Sequence, residues 1–281
     1  MDKQIDITVG ARFDRGCFSV SELFHENTKI RRRDGQLLMS LGPRFLPAEL
    51  RYAISHSYKA YRFARKVQLS RDSTPRQETL EHVLLARRSV REYSGAAVSL
   101  HSLSRILEFS YGITGEAVLD DGVTRFNKRA APSAGALFSN EIYAVALNVD
   151  GLEDGLYHYQ PQDRSLECLQ ERDLRSDIEK AVLHPEVVAN ASVVLIFVAI
   201  FQRTYFKYGE RGYRFALIES GHIAQNFYLV STALGLGAVA LGGFLDDQLN
   251  ELLGINGVDE AVIYLMALGQ PALSQPVHPE I

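Results

Sequence analysis

The chain has 281 residues, 46% hydrophobic and 23% charged, with a net charge of −4, which is the composition of an ordinary globular protein. Its longest apolar run, Val193–Phe201, falls far short of the roughly 20 residues that span a bilayer, and the opening MDKQIDITVG lacks a signal-peptide core, so a cytoplasmic protein with no membrane role is expected. Cys17, Cys168 and the scattered histidines form no CxxC, HExxH or similar spacing, which argues against a metal enzyme or a disulfide framework.

Charge is uneven along the chain. Residues 1–76 carry 15 Lys and Arg against 8 Asp and Glu, leaving the remainder acidic. A basic first quarter fits either a solvated face or an acidic partner, and Arg31–Arg33 is too short, and too poor in aromatics, to indicate nucleic acid. LPAELRYAISHSYKAYRFARKV (46–67) reads as a basic helix with a proline near its start. SRDSTP (70–75) reads as a linker, dividing an N-terminal extension (1–75) from a main domain (76–281).

The main domain opens with a helix that should bury Leu80, Val83 and Leu84 and end near Arg87. A second helix starts at the N-cap Ser99, places Leu103, Ile106, Leu107 and Tyr111 on one face, and stops at Gly112 or Gly115. Glu141–Val149 is a strand, GLYHYQPQDRSLECLQ a hairpin, and 173–189 a short helical region. SVVLIFVAIF (192–201) has the continuous β-branched character of a strand buried on both faces. A long helix from Tyr213 closes at Gly235 and Gly237, followed by a short strand (AVALGGF), a helix starting at Asp246 and a last central strand (EAVIYLMALGQP). The order indicates an α+β fold, and the absence of GxGxxG and GxxxxGK[ST] removes support for Rossmann and P-loop readings.

Three loops could carry chemistry. ARRSVREYS packs Arg87, Arg88 and Arg91 around Ser89, either as a cradle for a phosphate or as a solvated basic helix end. In APSAGALFSNEIY, the small residues Pro132, Ser133, Ala134 and Gly135 precede a strand, where a flat ligand could approach the backbone or the chain could simply turn. In LGGFLDD, Gly242 and Gly243 leave main-chain N–H groups open before a helix.

Together RRSVREYS, PSAGALFSNEIY and GGF resemble the nitroreductase-like flavoproteins. Within these, ELFHENTK (22–29), GLYHYQPQDRSL and KYGERGYRF are similar to the SagB-type dehydrogenases, azoline oxidases that make thiazoles and oxazoles in natural-product peptides. The resemblance implies a three-layer fold, a mostly antiparallel central sheet flanked by helices, and FMN at a homodimer interface. It also implies that Arg87, Ser89 and Arg91 contact the FMN phosphate, ribityl chain or N1/O2 edge, with Arg88 at the motif's variable place. Pro132, Ser133, Ala134 and Gly135 would lie along the isoalloxazine, and Gly242 and Gly243 would direct an N–H toward N5. The C-terminal GQPALSQPVHPEI departs from the pattern in having no Lys or Arg, leaving Arg129 or Arg214 as substitute phosphate contacts.

The same resemblance makes Lys207 and Tyr208 the catalytic pair. Free lysine and tyrosine titrate near ~10.4 and ~10, so a base at neutral pH needs perturbation. A dry pocket would lower Lys207 and raise Tyr208, and Arg203, Arg211 and Arg214, near in sequence, would lower both if close in space. Lys207 is therefore expected to be the base and Tyr208 a positioner or relay, with the reverse assignment open. Without the resemblance, Lys207 would end a strand in solvent and Tyr208 would pack against the following helix. Glu219, His222, Gln225 and Asn226 suggest a satisfied core or interface network, or, for Asn226, a place near the flavin. The implied partners are a peptide substrate, a second copy of the chain, and a cyclodehydratase or a carrier protein of a peptide synthetase. An NAD(P)H-dependent nitro- or quinone reductase and a flavin-free scaffold of a peptide-modifying complex are the alternatives.

Overall fold

The computed structural model describes residues 19–30, 57–70, 78–118, 122 and 125–272. Arg31–Arg33, most of the expected linker, Cys17 and the residues after 272 lie outside the described residues.

Seven strands form one sheet. In spatial order they are β1 (Arg65–Gln68), β8 (Ser165–Gln170), β7 (Gly155–Gln160), β5 (Asn140–Ala146), β9 (Val193–Ile200), β11 (Glu260–Gly269) and β10 (Gly237–Leu241). Every neighbouring pair is antiparallel. β9 sits near the middle and explains its own composition. Val193, Leu195 and Phe197 face one core, and Val194, Ile196 and Val198 face the other. The first core is roofed by α3 (Leu100–Tyr111) and α6 (Gly212–Ala233), through Leu103, Ile106, Leu107, Ile223 and Phe227. The second is roofed by α4 (Arg175–Ala181) and α7 (Asp246–Leu253), through Ile178, Leu249 and Leu253. Helices on both faces of an antiparallel sheet make the three-layer α+β fold expected from the sequence. Two small sheets, β2 (Val98–Ser99) with β6 (Val149–Asp150) and β3 (Ile113–Val118) with β4 (Arg125–Arg129), lie outside it.

The Ser99 hydroxyl caps α3 by accepting from Ser102 N–H at 3.1 Å. The chain leaves that helix at Gly112, where an added Cβ would stand 2.5 Å from the Glu108 carbonyl. α7 ends at Gly254 in the left-handed region, φ 67°.

Several expectations are corrected. Residues 65–67, read as the end of a basic helix, lie in β1 and pair with β8, because their partner lies about 100 residues away and leaves no local signature. Of the rest of that expected helix, residues 57–64 are loop and turn, and residues 46–56 lie outside the described residues. In α2 (Leu80–Ala86) only Val83 and Ala86 are buried; Leu80, Leu84 and Leu85 face outward. The predicted strand to Val149 is broken after Ala146, and the long helix is preceded by a separate short one, α5 (Gln202–Tyr208). α1 (Val20–Asn27), with a capping box between Ser19 and Glu22, has no counterpart among the predicted elements.

Candidate functional site

β9 delivers the chain directly into α5. Thr204 and Lys207, three apart, turn inward, and Gly209 ends the helix with φ 55° and ψ −147°. Lys207 is therefore only 7% exposed, rather than standing at a strand end in solvent. Its partner in space is the loop before β5, a tight turn over Ala134–Ala136. A Cβ added at Gly135 would stand 2.6 Å from Lys207 Nζ and 2.7 Å from the Tyr208 hydroxyl oxygen. The two polar heads thus converge on the bare face of one glycine. Among the described residues neither head has a hydrogen-bond or ion-pair partner. The Lys207 ammonium lies 5.2 Å from the Tyr208 ring centroid, and that ring packs edge-on against Phe215 at 4.8 Å.

Burial pulls the Lys207 amine below its ordinary value and pushes the Tyr208 hydroxyl above its own. This is the opposed pair of shifts expected for a dry pocket. The expected contribution of the three arginines is corrected, because each is committed elsewhere. Arg203 contacts Glu141 and donates to the Phe138 carbonyl, and Arg211 and Arg214 donate to Thr28 and His25 just after and within α1. Phe24 of α1 also meets Tyr213 edge-on at 5.3 Å, so ELFHENTK packs directly on KYGERGYRF.

The Gly135 loop is strained. Ala136 and Phe138, neither of them glycine, sit at φ 56° and 47°. Glu219 of α6 holds the loop in place. One carboxylate oxygen accepts from Ser133 Oγ (2.5 Å), Ser139 Oγ (3.2 Å) and Ser139 N–H (3.3 Å). The other accepts from Asn140 N–H (3.1 Å) and the Tyr111 hydroxyl (3.0 Å). Ser133 Oγ in turn accepts from Phe138 N–H at 2.9 Å. Sequence reasoning placed Glu219 in a network with His222 and Asn226, but His222 and Gln225 are exposed and Asn226 donates to Ser110 of α3.

A second group gathers at β10. Arg87 caps α2 and stacks over the Tyr228 ring at 5.2 Å, and Ser89 Oγ lies 3.3 Å from the Tyr228 hydroxyl. That hydroxyl accepts from Ala240 N–H at 2.7 Å, two residues before Gly242. Val90 N–H donates to Ala238 O at 2.9 Å, which lays the arginine segment along β10. Arg91 reaches back to Ser89 O at 3.4 Å and Arg88 folds onto Leu85 O at 2.7 Å. A Cβ at Gly242 would meet nothing within 4 Å, whereas Gly243 abuts Leu183. The structure therefore brings the arginine–serine turn together with the diglycine, and the Pro132–Gly135 loop together with Lys207 and Tyr208. No hydrogen bond, ion pair or ring contact joins the two groups among the described residues. Both hang from α6, with Glu219 and Tyr228 nine residues apart, about 13 Å of helix.

The substitute phosphate contacts are corrected. Arg129 is 7% exposed, with its guanidinium 4.4 Å from Tyr111 and 4.6 Å from Phe138, which places it at the Glu219 end of α6. Arg214 is spent on α1. Among the described residues no cluster of His, Cys, Asp or Glu could hold a metal ion, and no helix is long and apolar enough to cross a membrane.

A three-layer antiparallel fold with an arginine–serine turn beside a diglycine is that of a nitroreductase-type oxidoreductase. The profile of the nitroreductase family matches residues 84–270, and the chain belongs to that family. The nitroreductase-family protein MJ1384 of Methanocaldococcus jannaschii is 39% identical over 191 residues, 68% of this chain and 90% of the relative. A nitroreductase-family structure from Anabaena variabilis superposes with a TM-score of 0.63 at 30% identity, covering 75% of this chain and 42% of that one. The microcin B17-processing protein McbC of Escherichia coli is 30% identical over 135 residues, 46% of this chain and 49% of McbC. In the E. coli microcin synthetase McbBCD complex with truncated pro-MccB17 bound, one chain shares the fold at a TM-score of 0.56 and 20% identity, covering 92% of this chain and 99% of that one.

Proposed function

We propose that this protein is an FMN-dependent azoline dehydrogenase that oxidises thiazoline or oxazoline rings in a peptide to thiazoles or oxazoles. The observation that carries this reading is the convergence of Lys207 Nζ and the Tyr208 hydroxyl on Gly135, with the amine lowered by burial. A reductase of nitro groups or quinones has no need of a desolvated amine. The likeness to McbC, whose name states that it processes microcin B17, adds weight.

The donor set fits FMN. Arg87, Ser89 and Arg91 offer charged forks and a hydroxyl for its phosphate and ribityl chain, beside the open face of Gly242, with Gly243 following against Leu183. Pro132, Ser133, Ala134 and Gly135 offer small side chains to its ring. When bound, FMN supplies the acceptor for the hydride that leaves the ring, with oxygen as terminal oxidant. The protein's own part is proton transfer and position. Aromatising a thiazoline removes two electrons and two protons, and the carbon beside the peptide carbonyl bears the acidic C–H. Lys207, its amine pulled below the ordinary value by burial, accepts that proton, and Tyr208, its hydroxyl pushed above its own ordinary value by the same burial, orients the ring or relays the proton outward.

A second copy of the chain is the proposed partner at the helical surface, where Leu80, Leu84 and Leu85 of α2 and Leu217 and Ile218 of α6 are uncovered on two helices in contact. A cyclodehydratase or a peptide synthetase's carrier protein would supply the substrate. The test is Lys207→Ala assayed in parallel on a synthetic peptide carrying one thiazoline and, with NAD(P)H, on a nitroaromatic. Loss of thiazole formation with flavin absorbance retained supports the proposal. Undiminished thiazole formation refutes it, and nitro reduction as the sole robust activity supports the reductase reading suggested by the likeness to MJ1384. A reconstituted protein without flavin absorbance would leave the scaffold reading.

A further inference from the structure

A line of alternating charge crosses the sheet beneath the site. His158, on β7 and fully buried, bridges two carboxylates: Nδ1 lies 2.9 Å from Glu167 Oε2 on β8, and Nε2 lies 3.0 Å from Glu141 Oε2 on β5. Glu167 also accepts from Tyr61 N–H at 3.0 Å, and Lys66 Nζ of β1 stands 3.7 Å from its other oxygen. The rings of Tyr61 and Tyr143 enclose the imidazole at 5.3 and 5.0 Å. At the far end, Glu141 Oε1 lies 2.6 Å from Arg203 Nη2, and Arg203 Nη1 donates to the Phe138 carbonyl at 2.8 Å.

Arg203 thus stands at a junction. It rides on α5 one turn before Lys207, and it grips the strained loop that carries Gly135. The two parts of the site that must stay in register, the amine's helix and the loop whose glycine face it points at, are joined through this guanidinium. Arginine's planar fork suits the task, since it serves a carboxylate and a carbonyl at once, which a lysine ammonium on a flexible stem does not. Burying Glu167, His158 and Glu141 in a row is costly unless each is matched, and here each has an opposite charge on both sides, with Lys66 and Arg203 closing the two ends. Such a row is stiff, because moving any of its three buried members leaves a neighbour uncompensated in a dry interior.

We propose that Arg203, anchored through Glu141 and the doubly bonded His158, is a positioning residue that fixes the Lys207 amine against Gly135. This rests on the reading of Lys207 as proton acceptor, yet it is testable apart from turnover. Full-length wild type and Arg203→Lys are acetylated with acetic anhydride across a pH series, and the extent at Lys207 is read by peptide mass spectrometry, with the exposed Lys128 as internal reference. Burial is the sole cause of the Lys207 shift, so a loosened α5 that admits water removes it. In wild type the reactivity midpoint of Lys207 lies below that of an ordinary lysine, near ~10.4. In Arg203→Lys it moves back up toward that ordinary value, so that labelling at a fixed pH below both midpoints falls, while Lys128 is unchanged. Glu141→Gln, which cuts the same contact from the other side, moves it in the same direction. A wild-type midpoint at the ordinary value overturns the inference outright, as does an unmoved Lys207 in folded Arg203→Lys. Full thiazole formation by Lys207→Ala would remove the proposed reaction and leave the labelling result to judge Arg203 alone.

Discussion

Replacing Gly135 by alanine should separate the cost of the loop's backbone from the cost to its chemistry. Gly135 sits at φ +63°, where an L-residue costs about 1–2 kcal/mol. For a chain of this size that lowers the melting temperature by about 2–8 °C. The added Cβ also lands 2.6 Å from Lys207 Nζ and 2.7 Å from the Tyr208 hydroxyl, against about 3.4 Å for an ordinary contact. Both heads end flexible side chains, so they yield by about 0.8 Å rather than unfold the loop, and little is added to the stability loss. Catalysis is less forgiving: a displacement near 1 Å at a reacting group costs up to about 100-fold. Gly135→Ala should therefore melt only slightly early, keep its flavin absorbance, and lose about 10- to 100-fold in kcat on the thiazoline peptide. Calorimetry, the visible spectrum and thiazole formation report the three quantities. Wild-type kcat alongside the expected drop in melting temperature would show that the amine and hydroxyl do not work at this glycine.

Glu219→Ala strands several buried donors at about 1–3 kcal/mol each, so it should destabilise the fold by at least about 3 kcal/mol, with Glu219→Gln intermediate; equal melting of the two would refute the clamp. Arg87→Ala and Ser89→Ala should each weaken FMN retention in equilibrium dialysis while leaving the apoprotein's melting within about 1 kcal/mol of wild type, and unaltered retention in both would remove the phosphate assignment. His158→Gln should cost about 3–5 kcal/mol, in a pH-dependent way. Burial alone would lower His158, but its bonds to Glu141 and Glu167 outweigh burial and raise it, so its contribution is complete below the unfolded value of ~6.5 and fades as pH rises through the raised one. Glu141, pushed up by burial but held down to about 2 by Arg203 and His158, contributes fully above ~4.3 and is lost only in strong acid. The melting gap between wild type and variant should be widest from about pH 4.5 to 6.5, and a gap that stays constant well above that range would contradict the doubly bonded imidazolium.

What the sequence disclosed was mostly local. The run from Val193 to Phe197 declares a strand covered on both faces because alternate side chains serve two cores, and Ser99 declares a helix start because its cap bond spans three residues. Leu80 and Leu84 misled because spacing shows that an apolar stripe exists and not what covers it. β1 and α5 were missed as short elements, one defined by pairing with residues 165–168 and the other too brief for a period to show. The site was half legible. Lys207 and Tyr208 stood out through resemblance, but the contact that defines them, with Gly135, and the bond from Ser133 to Glu219 join residues more than 70 positions apart. The two left-handed residues after Gly135 carry no sequence mark, since alanine and phenylalanine are poor signals for that conformation.

The sheet's two margins are guarded by different means. On one side, β1 shows Arg65 and Lys66 to solvent along a four-residue strand, and a short cationic border discourages an extra strand from another molecule. On the other, the backbone of Ser89 and Val90 already occupies the flank of β10 through Ala238. A protein so sealed at its rims has little opportunity to polymerise by strand addition, which leaves its helical surfaces to meet other molecules.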